Sequence, residues 1–403
     1  MHILLIHQAY VALDEAGGTR HAEMAHLLAE RGHQVTIIAS PVSYLTGKTK
    51  NNHQRWLERE QPDANITVLR VFTYAALHRS FVTRVFVFLS FMVSSFYAGL
   101  RTHKVDLVWG TSPPIFQGFT AWLLAWLKGS KFLFEVRDLW PDFAIAVGVL
   151  KNSLLINLSK WLEGFLYKRA DRLVVNSPGF IEHIRSKGIQ RIDLIPNGAD
   201  PEMFAPDLKG EEFRTSHGLA GKFIVMYAGA HGLSNDLGIV LDAAILLRGR
   251  ADIQFVLVGD GKEKPSLLAK AQANQLANIT FVDPIPKNKI AGVMAAADAC
   301  IAILKPIEMY KTTYPNKVFD YMAAGRPVIL AIEGVIREVL EKHEAGIAVK
   351  PGDAHGIANA VLQLVADPER CAEMGRAGRQ AVINYYNRDK FAQQMITLLE
   401  EMR

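Results

Sequence analysis

The chain has 403 residues, half of them hydrophobic, and a net charge of +5. That composition excludes a disordered or low-complexity protein and supplies core for two or three domains. Two cysteines, Cys300 and Cys371, are too few for a disulfide framework and point to a reducing cytosol.

In chain order, His2 to His7 reads as an apolar strand already at the N-terminus, so no signal peptide is expected. Ala16-Gly17-Gly18-Thr19-Arg20 follows, then a helix from about Thr19 to Arg31, stopped by Gly32, and a strand Gln34 to Ala39. This β–Gly loop–α–β unit opens a doubly wound fold. Paired glycines let backbone approach a ligand, and a helix N-terminus there favours anions; a plain tight turn fits equally well. Residues 41–65 are polar and predict a mobile loop, with Ile66 to Phe72 a strand after it.

Phe81 to Leu100 is the most hydrophobic window. It holds 16 uncharged residues, Val85 to Leu100, short of the roughly 20 that span a bilayer. A core helix is the default; an interfacial helix anchored by Arg79 and Arg84 is the sharper alternative. Residues 1–200 carry +6 and residues 201–403 carry −1. Within 79–131 six bases (Arg79, Arg84, Arg101, Lys104, Lys128, Lys131) face one acid, Asp106. A basic half suits an anionic membrane surface, a lipid-linked phosphate or nucleic acid.

Val105 to Trp109 predicts a strand, Gly110 to Pro114 a turn, and Ile115 to Leu127 a helix. The strand Phe132 to Val136 ends in Arg137-Asp138-Leu139-Trp140-Pro141-Asp142. Ligands of such sheets sit beyond the strands' carboxyl ends, so Arg137 and Asp138 are candidates for a phosphate contact and for acid–base work; a buried ion pair is the structural alternative. A helix Ser153–Lys168 and strands at Arg172–Asn176 and Arg191–Pro196 lead to the hinge Asn197-Gly198-Ala199-Asp200-Pro201.

The second half repeats the pattern. Strands are expected at Phe223–Tyr227, Ile253–Val258, Ile279–Val282 and 299–304, each ending in a Gly-bearing or polar loop. The richest loop runs from Lys305 through Glu308, Thr312, Tyr314, Pro315 and Asn316 into a helix carrying Val318, Phe319 and Met322 on its buried face. Thr313 or Tyr314 is the expected N-cap and Gly325 the stop. Lys317 at that N-terminus suits a diphosphate, and Asp320 one turn on suits a vicinal diol such as a ribose. The bland alternative is a capped surface helix with a Lys317–Asp320 ion pair. Late helices at about 355–366 and 369–382 precede a terminal helix from Arg388. No Cys/His set has metal spacing, and His2, His7, His21, His26 and His33 read as scattered surface or packing residues.

The order and spacing of Gly17-Gly18-Thr19-Arg20, Thr111-Ser112-Pro113-Pro114, Glu135 to Pro141, Ile195 to Asp200, Val258-Gly259-Asp260-Gly261, and Tyr314 to Lys317 through Gly325-Arg326-Pro327 resemble the GT-B glycosyltransferases of glycosyltransferase family 4. The resemblance covers essentially the whole chain and looks most like bacterial surface-polysaccharide enzymes (O-antigen, capsule) of the L-fucosamine transferase type.

It implies two Rossmann-like domains facing across a cleft: 1–196 for the acceptor and 197–383 for the nucleotide sugar, with residues 384–403 returning to the first domain. It implies no metal and no cofactor beyond a nucleotide-diphosphate sugar. With it a lipid-linked saccharide acceptor and no nucleic acid are expected, and the basic face at 79–131 predicts a peripheral place on the inner face of the cytoplasmic membrane. Carried over by motif, Gly17, Gly18 and Arg20 border diphosphate and acceptor. Arg137-Asp138 stands where many relatives have His-Asp, and Asp320 replaces the second glutamate of an E-x7-E pair. Asp283 and Ile285 would meet the base.

Two departures stand out. Thr312 occupies the first glutamate's place, with Glu308 a substitute. His231, Gly232 and Asn235 replace an Arg…Lys pair, so diphosphate charge falls to Lys317, Arg137 and Lys305 or Lys311. A sugar-nucleotide 2-epimerase and a non-catalytic sugar-nucleotide-binding subunit stay open as alternatives.

Overall fold

A computed structural model describes residues 1–43, 47, 49, 54–75, 81–205 and 208–403. Arg79 and residues 44–46, 48 and 50–53 of the loop expected at 41–65 lie outside the described residues, as does the Arg84 side chain. The chain divides into two compact units. One comprises Met1–Ala12, Gly18–Pro196 and Ala392–Arg403; the other comprises Leu13–Gly17 and Asn197–Phe391.

The first unit is built on β1 (His2–Ile6), β2 (Gln34–Ala39), β3 (Leu57–Asp63), β4 (Ile66–Val71), β5 (Leu107–Ser112), β6 (Lys131–Val136), β7 (Arg172–Val175) and β8 (Asp193–Leu194). Their order in the sheet is β3-β4-β2-β1-β5-β6-β7-β8. All pairings are parallel except the β3–β4 edge hairpin. Ile3 to Ile6 and Leu107 to Trp109 are buried on both sheet faces, as unbroken apolar runs in parallel sheets are. Strand order reverses between β1 and β5, which puts a crevice beyond their carboxyl ends.

The second unit has β9 (Phe223–Ala228), β10 (Ile253–Val258), β11 (Ile279–Val282), β12 (Ala299–Ile303), β13 (Val328–Ala331) and β14 (Gly346–Ala348), ordered β11-β10-β9-β12-β13-β14 and parallel throughout. Its reversal lies between β9 and β12.

Several expectations are corrected. Leu57–Asp63 is a strand rather than loop: its polar side chains suit a half-exposed edge paired with β4. Thr111 and Ser112 continue β5 instead of turning, because β6 pairs with both. The expected Arg191–Pro196 strand shrinks to Asp193–Leu194. The helix Val335–Lys342 and strand β14 were not foreseen.

The helix after β12 runs Asn316–Ala323 with Pro315, not Thr313 or Tyr314, at its N-cap. It buries Val318, Phe319 and Met322 as expected, and also Tyr321. The Tyr321 hydroxyl bonds the backbone N–H and C=O of Ala228 at 2.9 and 3.1 Å, pinning this helix to the end of β9. The terminal helix Arg388–Glu401 begins in the second unit, and its residues from Ala392 belong to the first. There Arg31 bonds Gln393, His33 reaches Glu400 at 2.9 Å, and Arg172 reaches Glu401 at 2.9 Å.

Candidate active site

In the first unit the crevice beyond β1, β5 and β6 is backed by a buried polar cluster. Glu135, at 0 % exposure, accepts from Arg20 Nε at 3.0 Å, His21 Nε2 at 2.7 Å and Trp109 Nε1 at 3.1 Å. Burial pushes the Glu135 carboxyl up, but Arg20, His21 and Arg137 outweigh it and hold the group well below the usual carboxylate range. Arg20 spends its remaining nitrogens on the carbonyls of Pro196 at 2.8 Å and Ile195 at 3.0 Å. Arg20 was expected to border the substrate. It is instead a buried strut, since its three donor nitrogens already have partners inside the unit.

His7 and His21 are not scattered packing residues; their rings lie 4.3 Å apart in this cluster. Burial, then His21 and Arg137, drive the His7 pKa well below its usual value, so the imidazole is neutral. Thr111 Oγ1 accepts from Gln117 Nε2 at 2.9 Å and lies 2.9 Å from His7 Nδ1. With His7 Nδ1 donating to Thr111, Nε2 is an acceptor, and it faces Arg137 Nη1 at 3.2 Å. Arg137 is thereby tethered at the end of β6. Next to it, burial raises the Asp138 carboxyl to about 6, with Arg137 opposing. A carboxyl tuned that way can take up a proton near neutral pH. Position alone could have flagged His7, because it directly follows β1 at the strand-order reversal. Gly18 has open space where a side chain would be.

In the second unit, Lys317 is the centre. Its ammonium donates to the Tyr227 hydroxyl at 2.7 Å and to Asn235 Oδ1 at 3.2 Å, and stands 4.1 Å from the Tyr227 ring centroid. Tyr227 donates onward to the Ala230 carbonyl at 2.7 Å. Among the described residues no carboxylate pairs with Lys317, and burial lowers its pKa to about 7. A Cβ on Gly229 would come within 3.1 Å of Lys317 Nζ, so glycine there keeps the ammonium's place clear.

The Lys317–Asp320 pair of the bland alternative does not form. Asp320 instead takes Lys287 at 2.8 Å and Arg388 at 3.3 Å. Gly259 (φ +141°) packs so closely that a Cβ would lie 2.0 Å from the Gly229 carbonyl. Gly17, in the segment grouped with this unit, has φ +147°.

The other expected contacts are placed less uniformly. His231 is fully buried, and neither ring nitrogen has a hydrogen-bond partner among the described residues; burial lowers its pKa to about 4. It is therefore a neutral wedge under the Gly229 and Gly259 loops rather than an open ligand contact. Gly232 accepts from Asn235 N–H in the turn that presents Asn235 to Lys317. Glu308 is exposed and pairs with Lys311 at 2.8 Å, while Thr312 Oγ1 bonds the Met309 carbonyl at 2.7 Å. Lys305 N–H donates to the Ser234 carbonyl, joining the β12 loop to that turn. Tyr314 packs edge-on against Phe319, and Pro315 and Asn316 open the helix. Asp283 is exposed and paired with Lys264 at 2.8 Å; Ile285 leans on the core. Lys264 and Tyr227 carried no signal in the sequence, because neither lies in a recognisable loop motif.

Residues 16–198 match the family model described as a glycosyl transferase 4-like domain, and residues 222–367 match glycosyl transferases group 1. Between them they take in most of the chain. It is a glycosyltransferase of the GT-B type.

Among its relatives, WcaI of Escherichia coli K12, named as a colanic acid biosynthesis glycosyl transferase, is 26% identical over 326 residues, 78% of this chain and 79% of that one. WbjE of Pseudomonas aeruginosa, named as a glycosyltransferase, is 25% identical over 75% of this chain and 77% of its own. The fold matches sucrose-phosphate synthase of Thermosynechococcus elongatus with a TM-score of 0.78 at 20% identity, covering 100% of this chain and 98% of that one. It matches Anabaena HepE in complex with UDP-glucose with a TM-score of 0.74 at 16% identity, covering 100% of both.

Proposed function

We propose that this glycosyltransferase moves a sugar of the hexose or N-acetylated deoxyhexosamine class from a UDP-linked donor to a lipid-linked glycan acceptor. The reading places it in surface polysaccharide synthesis (O-antigen or capsule), without a metal, with retained anomeric configuration, peripheral to the inner face of the cytoplasmic membrane. The names of WcaI, for colanic acid, and the UDP-glucose complex of HepE support the pathway class and the donor class.

The observation that carries the reading is Lys317: a half-buried ammonium at a helix N-terminus, held by neutral oxygens and facing no carboxylate among the described residues. Such a cation is held ready for an incoming anion. As the glycosidic bond breaks, negative charge develops on the departing diphosphate, and the ammonium with the helix N-terminus stabilises it. Asp138, raised to about 6, would take the acceptor hydroxyl's proton, while Arg137 supplies a second cation. Asp320, already fixed by Lys287 and Arg388, would orient the ribose hydroxyls.

The test is a thermal-shift panel of UDP, GDP, ADP, dTDP and CMP with their common sugars, on wild type and Lys317→Ala. A ligand that binds only the folded state raises the melting temperature by mass action. UDP and its sugars should shift wild type and leave the variant nearly unmoved. A variant that shifts and turns over like wild type would remove Lys317 from the site. Product formed from donor without any acceptor would favour epimerisation instead.

A further inference from the structure

Three neighbouring helices of the first unit leave their outer faces apolar. They are Phe81–Arg101, Ile115–Lys128 and Ser153–Arg169. The first exposes Phe86, Leu89, Val93, Tyr97 and Leu100, at 39–58 %. That i, i+3, i+7, i+11, i+14 spacing is a single stripe about 21 Å long. The second exposes Trp126 at 68 %, and the third exposes Leu154, Leu158 and Trp161 at 56–74 %.

Internal packing joins these rows. Leu124 of the second helix fills the space over Gly99 of the first. Trp122 of the second meets Phe165 of the third edge-on at 4.6 Å, and Trp161 stacks on Phe165 at 5.4 Å. Singly exposed apolar residues are ordinary, but contiguous rows on adjacent helices mark a partner surface.

The charges around this face are mostly positive. No acidic residue lies on the first two helices, and Glu163, the one acid of the third, is buried against His183 and Lys187. The exposed bases on and beside the rows are Arg101, Lys104, Lys131, Lys151, Lys168 and Arg169, together with Lys160, which leans 3.6 Å from Asp142; the exposed acids near the row ends, Asp106 and Asp171, each accept a backbone N–H, from His2 and Phe132. A second copy of the chain would meet this rim with the same net positive charge. An anionic bilayer meets it with the opposite one, and indole and phenol rings favour the headgroup level. No helix among the described residues is long and apolar enough to cross a membrane.

We infer that this three-helix face is a membrane-docking surface, in which Trp126, Trp161, Leu158 and the Phe86–Leu100 stripe enter the headgroup–acyl boundary of an anionic leaflet and the basic rim binds its phosphates. It deepens the reading above by naming the surface that would bring the enzyme to a lipid-held acceptor, and rests on that reading only for its purpose. It also differs from attraction by the basic 79–131 window alone: part of the binding is apolar and survives salt.

The experiment is flotation with vesicles of equal parts phosphatidylcholine and phosphatidylglycerol, and with phosphatidylcholine alone, at low salt and at about 1 M salt. It uses wild type and the triple variant Trp126→Gln, Leu158→Gln, Trp161→Gln. Every substituted side chain is exposed, so the variant should keep the wild-type melting temperature and UDP-induced shift.

Wild type should float with anionic vesicles and retain a fraction at high salt, and the variant should lose partitioning by about tenfold or more. Brominated lipid should quench wild-type tryptophan fluorescence more than the variant's. Wild type that stays off anionic vesicles at low salt overturns the inference. So does a variant that floats within about twofold of wild type, or a wild-type dimer that the variant dissolves. Flotation without any nucleotide-induced shift would instead sink the donor reading and leave this surface standing.

Discussion

Each unit holds a cation beyond its strand ends, Arg20 buried and Lys317 half-buried, and they treat it in opposite ways. Arg20 in the first has a carboxylate and two carbonyls on its donor nitrogens, and the carboxylate has three donors of its own. Lys317 in the second is surrounded by neutral groups, a hydroxyl, an amide oxygen and an aromatic face, so burial lowers its pKa to about 7. A saturated buried cation is part of the scaffold, because any ligand would have to break bonds already made. An unsaturated one carries a desolvation cost in the empty protein that an arriving anion relieves. Of these two cations, the paired one marks architecture, and the one without a counter-charge marks the place where substrate charge is expected.

Breaking the paired side should give the largest loss of stability. Glu135→Ala leaves Arg20 buried without its carboxylate and should cost about 3–5 kcal/mol, measured by urea unfolding. Glu135 has a depressed pKa, so its contribution is full above the ordinary carboxylate range and is lost as pH falls through its folded value. Wild type should therefore lose stability in acid more steeply than the variant. Equal acid slopes would mean that the cluster is not an ionic strut.

Lys317→Met should do the reverse, cutting turnover by about a hundredfold or more while leaving the fold intact or firmer. The sign follows from linkage. The unfolded lysine holds its proton up to about 10.5 and the folded one only to about 7. Between those values the unfolded state binds more protons, so wild-type stability rises with pH. The variant's advantage in melting temperature should be greatest near pH 6 and shrink toward pH 10. A constant advantage would show that the lysine is not desolvated.

Donor affinity sharpens the comparison further. Diphosphate binding should weaken as pH rises through about 7, because the neutral amine no longer pairs with phosphate. Calorimetry with UDP across pH 6 to 9 reads this directly, and a pH-independent affinity would move the phosphate contact elsewhere. The smallest effect expected is that of Tyr227→Phe, which removes one hydrogen bond to Lys317 and should change UDP affinity only by the factor that about 1 kcal/mol allows.

Much of this was legible without coordinates. Apolar runs bounded by Gly and polar loops placed β1, β2, β6, β9, β10 and β12 within a residue or two, because strands buried on both faces leave so plain a trace. The loop and helix around Lys317 were legible for the same reason. The edge strand Leu57–Asp63 was not, since half-exposed edges carry polar residues that read as loop.

Spacing along the chain determined the doubly wound units, the glycine loops at strand ends and the family motifs. Only the tertiary structure decided which charged residue is spent and which is kept. Arg20 and Glu135 stand 115 positions apart, and Lys317 and Tyr227 stand 90 apart. Pairing and desolvation are properties of the packed interior, and local sequence rules cannot count partners that distant parts of the chain supply.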